Sequence, residues 1–305
     1  MMKPQYFRSI EEALAALFGS GAAIGKAERV FGGDINDSYV LTLTDGHCVF
    51  VKANSREDAA FFAAEAAGLD AIARTGTVGT PQVLGYGADA GRMGRSFLLL
   101  ALVSAGRRRK DYWEMLGHEL ANMHRAETGE CMEGGRYGFF RDNYIGMRDQ
   151  INTPREGWIT FFRDCRLMPQ FRYAAGCFDR KDRQKITWLL DHLEKFLAEP
   201  AYPSLLHGDL WAGNVMTGDD GRAWLIDPAA YVGHAEADIA MTELFGGFPA
   251  AFYDAYKEAG ILQPDYRERR DLYNLYHLLN HLNMFGGSYL ASVRRIVYRY
   301  APWGA

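Results

Sequence analysis

The sequence lacks the features that define several large protein classes. It has only four cysteines and no C-x-x-C pair, which favours reduced thiols of a cytosolic protein over a disulfide framework. The first apolar segment is interrupted by Glu11 and Glu12, so it does not have the pattern of a secretory leader. The longest uninterrupted apolar run, residues 97–103, is too short to cross a bilayer. These absences predict a cytoplasmic protein that does not act on a membrane.

An excess of charge of one sign is also missing. The formal net charge is −4, which gives no support for a nucleic-acid-binding protein. The basic cluster at residues 107–110 is expected to be a solvated connector. The sequence contains no internal repeat and no low-complexity segment. Its 48% apolar content is that of an ordinary globular protein, and 305 residues suit one large domain or two modest ones.

Hydrophobic patterning predicts two lobes that join near residues 101–106. Residues 1–103 carry a helix and then the order β-β-β-α-β-β, whereas residues 104–305 are mostly helical. We therefore predict an α+β fold with a small N-terminal antiparallel sheet lobe, which contains one long helix, and a larger helical C-terminal lobe. The predicted helices are 9–18, 57–74, 111–124, 160–173, 182–197, 271–285 and 288–300, and the predicted strands are 27–31, 38–44, 48–53, 81–87, 96–103, 215–216 and 223–226.

The most informative stretch begins at His207-Gly208-Asp209. Asn214 follows in the spacing H-x-D-x-x-x-x-N, and Asp227 stands thirteen residues later at the end of an apolar run. A kinase catalytic loop uses such a set, because an aspartate takes the hydroxyl proton while an asparagine and a second aspartate bind Mg²⁺. The tripeptide alone is also compatible with an ordinary turn. The joint spacing favours Asp209 as the catalytic base and Asn214 and Asp227 as metal ligands, with His207 bracing the loop.

The N-terminal lobe carries candidates for binding a nucleotide. Lys52 ends the third strand in a pattern typical of a kinase lysine, and Glu65 lies thirteen residues later in the following helix. We expect the two side chains to pair, because an unpaired glutamate in an apolar helix is costly and because the pair would orient the lysine toward the phosphates. A hairpin tip between the first two strands could also approach phosphates closely, although a plain turn fits it as well. This tip consists of Gly32, Gly33, Asp34, Ile35 and Asn36.

Two histidines, His277 and His281, share one helix face at a spacing that can bind zinc. They do not form an H-E-x-x-H motif, and leucines surround them. We expect packed, hydrogen-bonded side chains and not metal ligands.

These residues together resemble the fructosamine kinase family, the ketosamine 3-kinases, which are relatives of the aminoglycoside phosphotransferases with a protein-kinase-like fold. The resemblance extends over nearly the whole chain. Its most specific motifs are His-Gly-Asp-Leu-Trp at 207–211 and Gly-His-x-Glu-x-Asp at 233–238, whereas aminoglycoside kinases share only the His-Gly-Asp, Asn and Asp skeleton. Other matching stretches are Phe50-Val51-Lys52, Arg141-Asp142-Asn143-Tyr144-Ile145-Gly146 and Ile226-Asp227-Pro228-Ala229.

The resemblance implies ATP- and Mg²⁺-dependent phosphorylation of a ketosamine. In the family the acceptor is typically O3 of a fructosyl, ribulosyl or erythrulosyl adduct, and decay of the product frees the amine. The implied partners are ATP and a glycated amine, either a small molecule or a protein-bound lysine adduct. Residues 1–103 would form the ATP-binding lobe and residues 104–305 the catalytic and substrate-binding lobe.

The segment that would contact adenine departs from the family pattern. It consists of Leu100, Ala101 and Leu102, and the family often has glutamate where Ala101 stands. Because backbone groups do most of the adenine recognition there, we expect this change to affect affinity and not whether ATP binds. The basic run at 107–110 is also unusual for that position.

A sugar site needs an aromatic face and a few fixed polar groups. The segment around the catalytic motif supplies both, and we expect Glu236 or Asp238 to attract the protonated amine of the substrate. For each side chain the alternative is bracing of a loop, because buried polar groups mostly satisfy the backbone. The predicted substrate residues are His207, Trp211, Tyr231, His234, Glu236 and Asp238.

Two other functions are compatible with the motif skeleton. An aminoglycoside or amino-sugar phosphotransferase would need an acidic patch for a polycation, and the C-terminal helices are not notably acidic. An inactive nucleotide-binding scaffold usually lacks one of the reactive residues. Here Lys52, Asp209, Asn214 and Asp227 are all present, so we favour the active enzyme.

Overall fold

The computed structural model describes residues 4–31, 36–55, 59–89, 96–132 and 134–301. The strands are β1 (Tyr6–Phe7), β2 (Ile24–Val30), β3 (Asp37–Leu43), β4 (Cys48–Asn54), β5 (Val83–Gly87), β6 (Ser96–Ala101), β7 (Asn143–Ile145), β8 (Arg148–Gln150), β9 (Ser204–Leu206), β10 (Val215–Thr217), β11 (Ala223–Leu225) and β12 (Tyr231–Gly233). The α-helices are α1 (Ile10–Phe18), α2 (Ala60–Thr75), α3 (Tyr112–Arg125), α4 (Trp158–Phe161), α5 (Met168–Tyr173), α6 (Arg180–Asp191), α7 (Glu236–Leu244), α8 (Ala250–Glu258), α9 (Tyr266–Phe285) and α10 (Leu290–Tyr300).

The chain forms two compact units. The first consists of Met1–Tyr112 and Asn214–Pro228, and the second of Trp113–Gly213 and Ala229–Ala305. The predicted boundary after residue 103 stays a prediction of domain organisation. The β10–β11 hairpin, which the sequence analysis placed in the C-terminal lobe, belongs to the first unit.

The first unit is built on a six-stranded sheet with the order β1-β5-β6-β4-β3-β2. Most neighbours are antiparallel, as predicted, but β1 pairs with β5 in parallel, so the sheet is mixed. A strand of two residues gives no periodic signal, which is why the sequence did not reveal β1. The buried core beneath this sheet includes Val49, Val51 and Leu99 from the central strands and Leu14 from α1.

Local sequence signals explain the start of α1 and the end of α2, and the second of these was predicted. The Ser9 side chain accepts a hydrogen bond from the amide of Glu12 at 3.0 Å and caps the N-terminus of α1. Helix α2 ends at Gly76, which adopts a left-handed φ of 65°. The predicted start of α2 at residue 57 lies outside the described residues.

The β10–β11 hairpin is anchored in the first unit at two points. Trp224 forms a bridge with Gly79, and Gly218 forms one with Ala105. A Cβ atom at position 79 would stand 3.0 Å from the Trp224 ring, so a larger residue there would have to push the ring aside by a few tenths of an ångström. The contacts fix the ends of a hairpin that carries two of the predicted metal ligands.

The second unit is mainly helical, with two small antiparallel strand pairs, β7–β8 and β9–β12. The predicted helix at 160–173 is interrupted by a π-helical segment at Phe162–Leu167. Pro169 explains the change, since proline cannot donate a hydrogen bond to the Cys165 carbonyl four residues earlier. That carbonyl instead accepts a bond from the Arg166 guanidinium at 2.9 Å.

Within the described residues, no helix combines the length and apolarity that a membrane crossing requires.

Candidate active site

A buried lysine and two carboxylates form the centre of the site in the first unit. Lys52, on β4, is 6% exposed and donates a hydrogen bond from Nζ to Glu65 Oε1 at 2.6 Å. It also donates to the carboxylate of Asp227. The predicted pairing of Lys52 with Glu65 is therefore confirmed, and Asp227 is a second partner that the sequence analysis did not foresee.

The charges of this group determine its protonation. Burial alone would lower the pKa of Lys52, but the carboxylates of Asp227 and Glu65 outweigh burial and raise it above the ordinary value. Burial raises the pKa of Glu65, and the nearby lysine opposes that rise. Lys52 is therefore held as a cation at neutral pH.

Asn214 and Asp227 lie at the same end of the β10–β11 hairpin. Val215 at the start of β10 pairs with Leu225 at the end of β11, and the amide of Ile226 donates to the Asn214 carbonyl at 3.0 Å. The hairpin therefore brings together two residues that are thirteen positions apart. Their oxygen atoms are ligands of the kind that Mg²⁺ prefers.

Asp227 also has an unusual backbone. Its φ of 56° places it in the left-handed region, which among the described non-glycine residues only Asp265 shares. Such conformations persist where the surrounding structure enforces them, often at functional sites. The turn directs its carboxylate to Lys52 while leaving the side chain 46% exposed.

The predicted catalytic motif follows strand β9 in the second unit. Strand β9 pairs with β12, and both are buried. Gly208 adopts a φ of 81°, and a Cβ atom there would stand 2.8 Å from the carbonyl carbon of Ala229 and 3.3 Å from the Tyr231 ring. Only glycine fits this position. Asp209 is partly exposed, and Leu210 after it is fully buried, which fixes the loop on both sides.

Asp238 holds the backbone of the loop. Its carboxylate accepts hydrogen bonds from the amides of His207 and Gly208 at 2.7 and 2.9 Å. It also contacts His124 at 3.3 Å, and His124 in turn bonds to the Tyr256 hydroxyl at 2.7 Å. Burial would raise the pKa of Asp238, but these partners, led by His124, lower it. Asp238 is thus a buried carboxylate with protein donors on both oxygens.

Glu236 and His234 are equally enclosed. Glu236 is fully buried and accepts two hydrogen bonds from the Arg269 guanidinium, at 2.7 and 2.8 Å. His234 Nδ1 accepts from the amide of Glu236 at 3.2 Å, and burial, assisted by the charges of Arg269 and His124, lowers the pKa of His234 to about 3. These contacts favour the bracing alternative. The prediction that Glu236 or Asp238 attracts the substrate amine gains no geometric support.

Trp211, in contrast, reaches the surface. It is 40% exposed and packs edge to face on Phe245, with ring centroids 6.4 Å apart. Phe245 contacts His281 at 4.9 Å, and His281 contacts Phe285 at 5.5 Å. These four residues form an aromatic patch. The sequence analysis singled out Trp211 but missed Phe245 and Phe285, whose positions after α7 and at the end of α9 were the available signal.

The remaining residues singled out by the sequence analysis differ in burial and in hydrogen bonding. Tyr231 is buried in β12, and His281 bonds through Nδ1 to the His277 carbonyl at 2.8 Å, as expected of a packed histidine. Asn36 accepts a hydrogen bond from Asn54 at 2.7 Å. The rest of the predicted hairpin tip, Gly32, Gly33, Asp34 and Ile35, lies outside the described residues.

The adenine-contact segment and the basic run lie at the end of the sheet. Leu100 is buried, Ala101 and Leu102 are partly exposed, and the amide of Ala101 donates to the Gln82 carbonyl at 2.9 Å. Residues 107–110 are exposed, as predicted for a solvated connector.

Comparison with known proteins identifies the family. The model of the family described as "Fructosamine kinase" matches residues 6–301. The chain belongs to the fructosamine kinase family. A probable ketoamine kinase of Synechocystis sp. is 37% identical over 301 residues, which are 96% of each chain. A chloroplastic protein-ribulosamine 3-kinase of Oryza sativa subsp. indica is also 37% identical, over 92% of this chain and 80% of the plant protein.

Solved structures confirm the predicted fold. A crystal structure assigned to the fructosamine-3-kinases, from Haemophilus somnus 129PT, has a TM-score of 0.83 at 30% identity and covers 96% of this chain and 97% of its own. An aminoglycoside phosphotransferase in complex with ADP and hygromycin B has a TM-score of 0.60 at 16% identity, covers 97% of this chain and 100% of its own, and shows the fold alone. The protein-kinase-like architecture of this fructosamine kinase family member is thereby established.

Proposed function

We propose that this protein transfers the γ-phosphoryl group of ATP to a sugar hydroxyl of a ketosamine, with O3 as the acceptor. The observation that carries the proposal is the assembled group of Lys52, Glu65 and Asp227, with Asn214 tied to the same hairpin end. Together with family membership, this group favours an active kinase over a scaffold. The names of the relatives, ketoamine kinase and ribulosamine 3-kinase, support the ketosamine class of acceptor.

Asp209 is assigned as the catalytic base. It accepts the proton of the sugar hydroxyl while the oxygen attacks phosphorus, the bond to the β-phosphate oxygen breaks and ADP leaves. The loop that carries it is held through backbone amides by Asp238, so its position does not depend on substrate. Pre-positioning of this kind is how a phosphoryl-transfer enzyme lowers its barrier.

Asn214 and Asp227 are assigned as ligands of Mg²⁺, which fits their hard oxygen donors and their common hairpin end. When bound, the ion would neutralise charge on the phosphates. Among the described residues, no group of three His, Cys, Asp or Glu side chains is placed to hold a metal. When Mg²⁺ binds together with a nucleotide, it usually has one or two protein ligands, and phosphate oxygens and water complete its coordination.

Lys52 is assigned to the α- and β-phosphates, with Glu65 holding it in place. The carboxylates of Asp227 and Glu65 raise the pKa of Lys52 and keep the ammonium charged before the nucleotide binds. A phosphate that replaced one carboxylate would bring negative charge of its own. Asp227 contacts the same ammonium, so the side chains for metal and phosphate are already adjacent within the first unit.

The aromatic patch is assigned to the substrate. Its exposed rings offer an apolar face for a sugar, and aromatic faces also attract a cation such as the protonated ketosamine nitrogen. In this assignment Trp211 and Phe245 contact the substrate amine. The other predicted substrate residues position the loops around the site; they are His207, Tyr231, His234, Glu236 and Asp238.

The deciding experiment measures ATP consumption with Mg²⁺ against a ribulosamine, a fructosamine, free ribose, free fructose and kanamycin. We expect turnover on a ketosamine and its loss in Asp209→Asn. Turnover on kanamycin alone would move the assignment to antibiotic phosphorylation. Stabilisation by ATP without turnover of any acceptor would favour a nucleotide-binding scaffold.

A further inference from the structure

Arg166 is a buried cation without a carboxylate partner. Its residue is 0% exposed, and among the described residues no acidic side chain forms an ion pair with it. Burying an unpaired charge is expensive, so the surrounding structure must compensate for it. It also stands in the π-helical segment, a feature that often marks functional positions.

Nη1 and Nη2 of the guanidinium bond to neutral oxygens, whereas the buried Nε has no hydrogen-bond partner among the described residues. Nη1 donates to the carbonyls of Ile151 and Cys165 at 2.6 and 2.9 Å, and Nη2 donates to Asn152 Oδ1 at 2.7 Å. The Cys165 carbonyl is the one that Pro169 leaves without a helical donor. Pro169 therefore leaves the Cys165 carbonyl as an acceptor, and Arg166 of the same segment donates a hydrogen bond to it.

Three aromatic rings complete the environment. The guanidinium carbon lies 3.9 Å from the centroid of the Tyr231 ring, 4.6 Å from Phe161 and 5.6 Å from Tyr276. Stacked rings stabilise a desolvated guanidinium and fix its plane. A lysine ammonium has no plane to stack and only one nitrogen to share among the three acceptors.

Tyr231 connects this cluster to the catalytic loop. The position of a Cβ atom on Gly208 is 3.3 Å from the Tyr231 ring, so the loop packs directly on the ring that Arg166 holds. Gly208 also packs on the carbonyl of Ala229, which accepts a hydrogen bond from Gln150 Nε2 at 2.9 Å.

Tyr276 connects Gln150, and through it the Ala229 carbonyl, to the Arg166 cluster. Its hydroxyl donates to Gln150 Oε1 at 2.6 Å, and Gln150 is the neighbour of the Ile151 carbonyl that Arg166 binds. The phenol is within electrostatic reach of both Arg166 and Asp209: after burial, which raises its pKa most, the Arg166 cation lowers it and the Asp209 carboxylate raises it. The cation and the proposed base therefore lie near one side chain.

We propose that Arg166 is a positioning residue for phosphoryl transfer, whose guanidinium fixes Tyr231 and residues 150–152 as the surface on which the Gly208 turn sets Asp209. The proposal rests on the assignment of Asp209 as the base. It predicts that the planar fork of arginine, and not only a positive charge, is required. A small displacement of a reacting group lowers turnover by up to about 10²-fold, while the affinity for ATP depends on residues of the first unit.

The kinetic test compares Arg166→Lys and Arg166→Met with Arg163→Met. Arg163 lies in the same π-helical segment, but its side chain is 39% exposed and pairs with Asp164 at 2.8 Å. We expect kcat on the accepted ketosamine, normalised to the number of ATP-binding sites, to fall about tenfold or more in both Arg166 variants. KM for ATP should stay within about twofold, and Arg163→Met should match the parent protein. A folded Arg166→Met protein with kcat within about twofold of the parent would overturn the proposal.

A second readout does not depend on the substrate. Amide hydrogen exchange at residues 207–210 should become faster in Arg166→Met and not in Arg163→Met, and unchanged exchange would overturn the positioning role even if no acceptor is turned over. If neither Arg166 variant folds, Tyr276→Phe removes only the hydroxyl that holds Gln150. It should lower kcat severalfold at constant KM for ATP and speed the same exchange. Parent-like values of both would refute the proposal.

Discussion

At the residue scale, Asp227 joins a rare backbone conformation to a charged contact. A left-handed φ costs a non-glycine residue about 1–2 kcal/mol, and asparagine and aspartate tolerate it best. The contact with Lys52 and the fixed end of β11 offset that cost. The conformation and the charge can therefore be separated by substitution.

Asp227→Asn should retain the backbone and remove the charge. We expect turnover to fall about 10²-fold or more, because a carboxylate is lost where phosphate charge must be neutralised. Asp265→Asn is the matched control, since Asp265 has a φ of 62° on an exposed residue. Steady-state ATP consumption by both variants tests the prediction, and equal activities would remove Asp227 from the metal site.

The lowered pKa of His234 predicts how the free energy of unfolding depends on pH. Its pKa is lowered from 6.5 to about 3 in the folded protein, mainly by burial, so the unfolded chain binds a proton more readily between these values. The stability that neutral His234 contributes is complete above pH 6.5 and is lost as pH falls toward 3. From pH 7 to pH 5 this loss is about 2 kcal/mol.

Urea unfolding at pH 7 and pH 5 measures this effect. His234→Gln should lose about 2 kcal/mol less between the two pH values than the parent protein. His118→Gln serves as the control, because the side chain of His118 is 51% exposed. An identical pH dependence in His234→Gln and the parent would contradict the buried neutral state.

At the element scale, the turn after β9 depends on glycine for two reasons, its φ of 81° and the carbonyl beside it. Gly208→Ala should lower turnover about 10²-fold or destabilise the fold, because the methyl group displaces the loop. Gly260→Ala separates the two reasons, since Gly260 has a φ of 65° and open space around it. It should cost only about 1 kcal/mol, with normal activity. Melting temperatures and kcat of both variants decide whether the close contact matters.

The aromatic patch arises where α7 and α9 end. Trp211→Ala should raise KM for a ketosamine about tenfold and leave KM for ATP unchanged, because stacking and cation–π contacts are lost on the acceptor side only. Phe140→Ala removes an aromatic side chain of similar exposure that contacts Phe139 instead. Acceptor titrations with both variants test the assignment, and an unchanged KM in Trp211→Ala would place the acceptor elsewhere.

The longer elements that the sequence predicted are those with sustained periodicity. Helices α1 and α9 and the strands β3 and β4 carry repeated apolar positions over seven or more residues. Strands β7, β8 and β12 have three residues each, too few for a period to show. Strands β10 and β11 are equally short, and they were predicted from the turn at residues 218–221 that they flank. The π-helical segment could not be foreseen either, because it depends on the tertiary contacts of Arg166 as well as on Pro169.

The candidate site was predictable where motif spacing fixes it. The Lys52–Glu65 pair follows from a strand and a helix adjacent in sequence. The enclosure of Glu236 by Arg269 does not, because it joins residues 33 positions apart and their types alone do not show who pairs with whom. Burial is a property of packing, so the sequence could not distinguish a carboxylate that braces a loop from one that binds the amine of the substrate.

At the scale of the whole molecule, the proposed chemistry is divided along the chain. Lys52, Glu65, Asn214 and Asp227 belong to the first unit, and Asp209 belongs to the second. The residues proposed to bind nucleotide and metal are thus held by packing within the first unit. The proposed base and the residues that position it are held by packing within the second unit. Loss of the base should therefore leave nucleotide binding intact.

Asp209→Asn and Lys52→Met separate the two halves of the reaction. Asp209→Asn should abolish turnover and still show the rise in melting temperature that ATP with Mg²⁺ produces, because its side chain takes a proton and holds no phosphate. Lys52→Met should lose both turnover and most of that rise, since a buried cation between two carboxylates is removed and the phosphates lose their ammonium. Thermal unfolding with and without ATP, run beside the turnover assay, distinguishes these patterns. If Asp209→Asn lost the response to ATP while Lys52→Met kept it, the roles assigned to the two residues would have to be exchanged.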